Sequence, residues 1–214
     1  MRSVFVKGFH MRRARVLPFA LAAMLAACSD SGGPNTGGVK PPGDLAIIKL
    51  VPGHPAIWNP VDSFYAVKGQ DRELRIYFTD NDGVSRGEDY VRLRVDAASL
   101  LTRPDGTPFQ VGDSVLITVR VPDPDLVQFQ FEPSGLKFDP AVPAQLKIEY
   151  NEANPDYNED GHEDGTDVAI KQQLAVWRQE QAGQSYMKVN TVNVTELDEC
   201  NSDLTGFTRY AIAY

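Results

Sequence analysis

Cysteine is scarce in this chain of 214 residues: there are two, Cys28 and Cys200. A fold stapled by several disulfides is therefore excluded. Histidine is as rare, with three, and no Cys or His pair stands at the spacing a zinc site needs. No Gly-x-Ser-x-Gly elbow surrounds Ser63 or Ser134, and no glycine loop is built to cradle phosphate. Basic residues are in the minority, 21 Lys and Arg against 29 Asp and Glu, so the surface repels nucleic acid and anionic headgroups. Long apolar runs are missing too. The best is Val16 to Ala27, interrupted by Pro18; as a helix it would be about 18 Å long, short of a hydrocarbon core of about 30 Å.

What that run does resemble is an export signal. Arg2, Lys7, Arg12, Arg13 and Arg15 precede it and no acidic residue does, the pattern of a secretory signal over residues 1–27. Met11 begins a more compact version of the same signal. The run ends in Leu25-Ala26-Ala27-Cys28, which resembles the lipobox of bacterial lipoproteins. The resemblance implies cleavage before Cys28 and acylation of its sulfur, with several acyl chains giving stable membrane anchoring where one would be marginal. Ordinary signal cleavage beside an incidental cysteine is the alternative. Ser29 after the cysteine implies sorting to an outer membrane, on its periplasmic or its surface-exposed side. Removing residues 1–27 leaves 16 basic residues against 29 acidic ones, a net charge of −13. Cys200 is then without an intramolecular partner, and is either a buried small hydrophobe or an exposed thiol. Its neighbours Asp198, Glu199 and Asp203 would raise its pKa and blunt its reactivity.

Residues 28–43 hold the lipidated cysteine and a Gly-, Ser- and Pro-rich stretch that cannot bury enough surface to fold, and are expected to form a flexible linker. Residues 44–214 are one domain's worth of chain. The predicted strands are 46–51, 72–78, 90–95, 114–121, 126–132, 144–150, 168–178, 186–194 and 208–214, rich in β-branched, aromatic or alternating residues. Turn signals separate them, among them Asn81-Asp82-Gly83, Pro104-Asp105-Gly106 and Pro133-Ser134-Gly135. Over 115–121 the odd positions are Val or Ile while Thr118 and Arg120 face the other way, which predicts one buried sheet face. Over 168–178 the period is ambiguous, and the alternation of Ile170, Leu174 and Val176 favours strand. The expected fold is all-β, an immunoglobulin-like antiparallel β-sandwich.

Phe131-Glu132-Pro133-Ser134-Gly135-Leu136-Lys137-Phe138-Asp139-Pro140, followed by the alternating residues 144–150, resembles the ZU-type domain of tight-junction proteins, ankyrins and netrin receptors. Residues 207–214 resemble the aromatic closing strand that follows this signature in bacterial surface proteins. The resemblance implies a β-sandwich used for association, without catalytic residues. In physical terms, Pro133 and Gly135 would turn the chain so that Phe138 plugs one end of the sandwich.

The sharpest local pattern is Asp156 to Asp167. Read as a twelve-residue calcium loop, it places Asp156, Asn158, Asp160, Asp164 and Asp167 at positions 1, 3, 5, 9 and 12, Gly161 at the sharp turn of position 6, and the carbonyl of His162 at position 7. It resembles the calcium loops of dockerin modules, which also end in Asp. The alternative is a solvated acidic loop between strands. Asp80 to Gly83 repeats the spacing over four residues only and reads as a hairpin turn. Trp58 and Trp177 read as core residues, with a sugar-stacking platform as the alternative. The function expected from all this is a non-enzymatic, lipid-anchored envelope protein that meets a protein or polysaccharide partner, with structural calcium as a candidate cofactor. A carbohydrate-binding or carbohydrate-processing envelope protein is the alternative.

Overall fold

The computed structural model describes residues 38 to 214. Cys28, the expected signal sequence and the first part of the expected linker lie outside the described residues. Among the described residues there are fourteen strands and one short α-helix: β1 (Val39–Lys40), β2 (Val61–Val67), β3 (Arg72–Thr79), β4 (Arg86–Val95), β5 (Leu100–Thr102), β6 (Ser114–Arg120), β7 (Gln128–Glu132), β8 (Lys137–Phe138), β9 (Ala144–Glu149), α1 (Gly165–Lys171), β10 (Ala175–Gln179), β11 (Tyr186–Lys188), β12 (Thr191–Val194), β13 (Glu199–Leu204) and β14 (Arg209–Ala213). Seven strands form one sheet in the order β1-β11-β10-β14-β7-β6-β2, and five form a second in the order β12-β13-β9-β4-β3. Every pairing is antiparallel. The small pair β5-β8 stands apart.

The alternation seen in the sequence decides which faces meet. On β6, Ile117 and Val119 are wholly buried while Leu116 and Arg120 are exposed; Thr118, on the outer side, bonds Ser63 through its hydroxyl at 2.8 Å. On the facing sheet Leu74, Ile76 and Phe78 of β3, Leu93 of β4 and Leu146 and Ile148 of β9 point inward to the same cluster. Tyr90 bridges the layers, its ring 4.4 Å from Phe78 and 5.0 Å from Phe129 of β7. This is an all-β, sandwich-like fold, as expected. Gly135 takes a left-handed φ of 86°, which a side chain disfavours, and the chain then delivers Phe138 into the core against Phe207 at 4.8 Å.

Five expectations need correction. Residues 46–51 form no continuous strand and contribute only isolated bridges at Ile47, Lys49 and Leu50, because their backbone pairs in turn with three different segments. Residues 168–178 are not one strand: α1 covers Gly165–Lys171 and β10 starts only at Ala175. A capping box decides this, with Asp164 accepting from the amide of Thr166 and Asp167 accepting from the amide of Asp164; it satisfies amides that a strand would leave open. The stretch read as linker also contributes structure, because Val39 and Lys40 pair with Met187 and Tyr186. Backbone pairing needs amides rather than apolar side chains, so composition gives no sign of it. Residues 186–194 divide into two strands that belong to different sheets. Finally, β2, β5, β8 and β13 were not predicted: β5 and β8 are only three and two residues long, and β2 and β13 hide a short apolar face among residues such as Asp62, Ser63, Glu199 and Asp203.

Candidate functional site

The acidic loop leaves β9, passes Ala153 and turns into α1. Its oxygens are engaged by its own backbone. Asp156 accepts from the amides of Asp160 at 3.1 Å and Gly161 at 2.9 Å. Asn158 accepts from the Asp160 amide at 3.0 Å and donates through its side-chain NH2 to the Asp160 carboxylate at 3.1 Å. Asp160 in turn accepts from the amide of His162 at 3.0 Å. Gly161 has a φ of 89°, the left-handed turn expected at position 6.

Asp167 closes the loop from the other end. Its side chain is buried and accepts from the amides of Tyr157 at 2.8 Å, Asn158 at 3.3 Å and Asp164 at 3.0 Å. The Asp164 amide above all, with those of Asn158 and Tyr157, holds this carboxyl below the usual carboxylate range against the opposing effect of burial. The sandwich fixes the loop at several points. Lys49 pairs with Glu159 at 2.7 Å, the Tyr214 hydroxyl donates to the Tyr157 carbonyl at 2.7 Å, and Lys171 at the end of α1 pairs with Asp198 at 2.5 Å.

Asp156, Asn158 and Asp160 are therefore brought together in one hydrogen-bonded turn, with Asp167 joined to it through the amide of Asn158. Asp164 is turned away to cap α1, and His162 is exposed. Among the described residues no three His, Cys, Asp or Glu side chains converge as a ready-made metal cluster. Two features fit a calcium loop all the same: the left-handed glycine at position 6, and a helix that begins directly after position 9. The entering segment is a strand, so the frame is strand-loop-helix.

The other candidates sort by burial. Trp177 is a core residue, 4% exposed, with its indole N–H donated to the Ala213 carbonyl at 3.1 Å. Trp58 is not: it is 47% exposed, donates to the Val84 carbonyl at 3.2 Å and meets Tyr77 edge-on. The expectation that both tryptophans are core fails at Trp58, because only its edge packs on β3. The Trp58 and Tyr77 rings stand at 78°, so they offer no flat shared platform. Cys200 is fully buried, and burial pushes its thiol up to about 12. Of the two alternatives for this cysteine, the small buried hydrophobe is the one observed. Asp80 to Gly83 forms the β3–β4 turn, with Asp82 accepting from the amides of Val84 and Ser85.

Comparison with protein-family models, with curated proteins and with solved structures finds no match for this chain.

Proposed function

We propose that this chain is a non-catalytic, lipid-anchored protein of a bacterial cell envelope, carried through Cys28 and presenting its β-sandwich as an interaction or structural module. The observation that carries the reading is the run Leu25-Ala26-Ala27-Cys28 at the end of a basic-then-apolar leader. The folded body supports it by beginning close behind. Ten residues separate Cys28 from β1, so the first strand stands at most about 40 Å from the anchor. An outer membrane, on either side of it, is the proposed location. Replacing Cys28 with Ala should move the protein from the membrane fraction to the soluble fraction and abolish incorporation of labelled palmitate. Recovery of Cys28→Ala protein in washed membranes would remove the anchoring claim.

A second reading concerns calcium, and α1 is the observation that favours it. Asp156, Asn158, Asp160 and the His162 carbonyl would supply hard oxygens, with Asp167 at the exit, and a bound cation would offset the repulsion among the carboxylates. Sites of this class in extracellular proteins bind at about 10⁻⁴ to 10⁻³ M. At ten times the dissociation constant, stabilisation is about 1.4 kcal/mol, or roughly 3 to 6 °C in melting temperature for a body of this size. The full chain in neutral detergent should show that rise with calcium, and an Asp156→Ala, Asp160→Ala double variant should not. Equal melting of both proteins across millimolar calcium would leave the segment a solvated acidic loop.

A further inference from the structure

The outer face of the five-stranded sheet carries a charge pattern that the fold does not require. Register sets Arg75 of β3 beside Arg92 of β4, and Arg92 beside Lys147 of β9. Three cations thus stand abreast on neighbouring strands, an arrangement that is destabilising when like charges face each other directly.

Two of the three are neutralised by their own carboxylates. Arg75 pairs with Glu73 at 2.6 Å and Asp89 at 2.7 Å, and Lys147 pairs with Glu149 at 2.9 Å and with Glu199. Arg94, in the next row, is held by Asp96 at 2.8 Å. Arg92, in the middle, forms neither an ion pair nor a side-chain hydrogen bond among the described residues. It is half-buried, so its five donors are partly withdrawn from water with no protein acceptor in place.

Arg92 also lines a groove of about 300 Å³, shared with Arg94, Lys147, Gln145, Asn190 and Asn201. That volume is at the lower end of small-ligand sites. Lys147 and Arg94 in the lining are already matched by Glu149, Glu199 and Asp96, and Glu73 and Asp203 flank them, so Arg92 is the cation of the groove with no ion-pair partner among the described residues. The flanking acids matter as much as the cations. They would repel a dianion or a densely charged polymer, whereas one carboxylate can be gripped by a guanidinium through two parallel bonds. The amides of Gln145, Asn190 and Asn201 donate and accept, which suits neutral hydroxyls beside that carboxylate.

We propose that this groove binds a singly charged sugar acid, its carboxylate on Arg92 and its hydroxyls on the surrounding amides. The proposal rests on the interaction-module reading and is independent of the anchor, because Arg92 and Cys28 are tested by different variants with different readouts. Failure at Cys28 would leave the groove untouched, and failure at Arg92 would leave the module without this ligand.

The test is calorimetric titration of the full chain in neutral detergent with D-glucuronate, D-glucose and inorganic phosphate. Glucuronate should bind saturably, at least about tenfold more tightly than glucose or phosphate, and Arg92→Gln should weaken it about tenfold or more. A melting scan of the unliganded proteins accompanies it. Arg92 is repelled by Arg75 and Lys147 and attracted by Glu199, whose carboxyl it helps hold low, so Arg92→Gln should melt close to the wild-type temperature. Absence of glucuronate binding, or equal binding by Arg92→Gln, would overturn the proposal. Phosphate binding as tight as glucuronate would overturn the assignment to sugar acids, and a clear fall in the melting temperature of Arg92→Gln would make the side chain structural.

Discussion

At Gly87, where β4 leaves the hairpin, an added Cβ would lie 2.8 Å from the carbonyl carbon and oxygen of Thr79 and 2.9 Å from the amide nitrogen of Asp80. All three are backbone atoms, so no side-chain rotation relieves the clash. Gly87→Ala should therefore cost about 1 to 3 kcal/mol, the range for forced overpacking, and lower the melting temperature by roughly 2 to 4 °C for each kcal/mol. Melting at the wild-type temperature would show that the hairpin does not close this tightly. Nothing in the sequence marks this glycine. Gly83, four residues earlier, stands in an Asn-Asp-Gly turn signal and has the left-handed φ of 70° that such turns favour. Gly87 is needed for a close approach between strands, which depends on a partner rather than on its neighbours in the chain. Trp58 and Trp177 differ for a related reason. Both are tryptophan in apolar surroundings, and only the tertiary fold places residues such as Leu45, Tyr186 and Ala213 around the second.

Helix α1 has only seven residues, too few to be stable by propensity alone, and it depends on Asp164 and Asp167 at its start. Asp167 has a folded-state pKa below its ordinary value, so the stability it contributes is present above the unfolded carboxylate value of about 4. That contribution is lost as pH falls from there through the depressed value. Amide-exchange protection at Tyr157, Asn158 and Asp164 should fall on acidification from pH 6 to pH 3 while that of β9 and β14 persists. Asp167→Asn should show the low protection already at pH 6. Unchanged protection in that variant would mean that the loop is held by other contacts. The elements of this protein were legible where one period dominated, as in β3, β6 and β9. They were misread where a local cap competed with alternation, since Ile170, Leu174 and Val176 suit a strand and Asp164-x-x-Asp167 suits a helix start. The side chains of the calcium reading were legible as a spacing, whereas the diversion of Asp164 to the cap was not. The cation row was half-visible, because Arg92 and Arg94 alternate with Val91, Leu93 and Val95 on one strand. Its other members are joined only by register.

For the molecule as a whole, composition and alternation give an antiparallel sandwich because each strand declares a wet face and a dry one. The order of strands within the sheets is not declared, since β10 lies between β11 and β14, and β9 between β13 and β4. Those neighbours are chosen by long-range packing such as the meeting of Phe131 with Phe207 and Tyr210. The N-terminal residues show what this choice accomplishes. Val39 and Lys40 pair at the sheet edge, Leu45 and Ile47 lie against Trp177, and Ile48 is bonded between Ile212 and Val127. Considered as a mechanical linkage, a pull applied at residue 38 meets the two-residue β1 first among the described residues. The segment around Ile48, seated between two other stretches of backbone, takes the load next. The sandwich beyond is thereby in series with a weaker coupling, which yields first and leaves the load-bearing sheets closed.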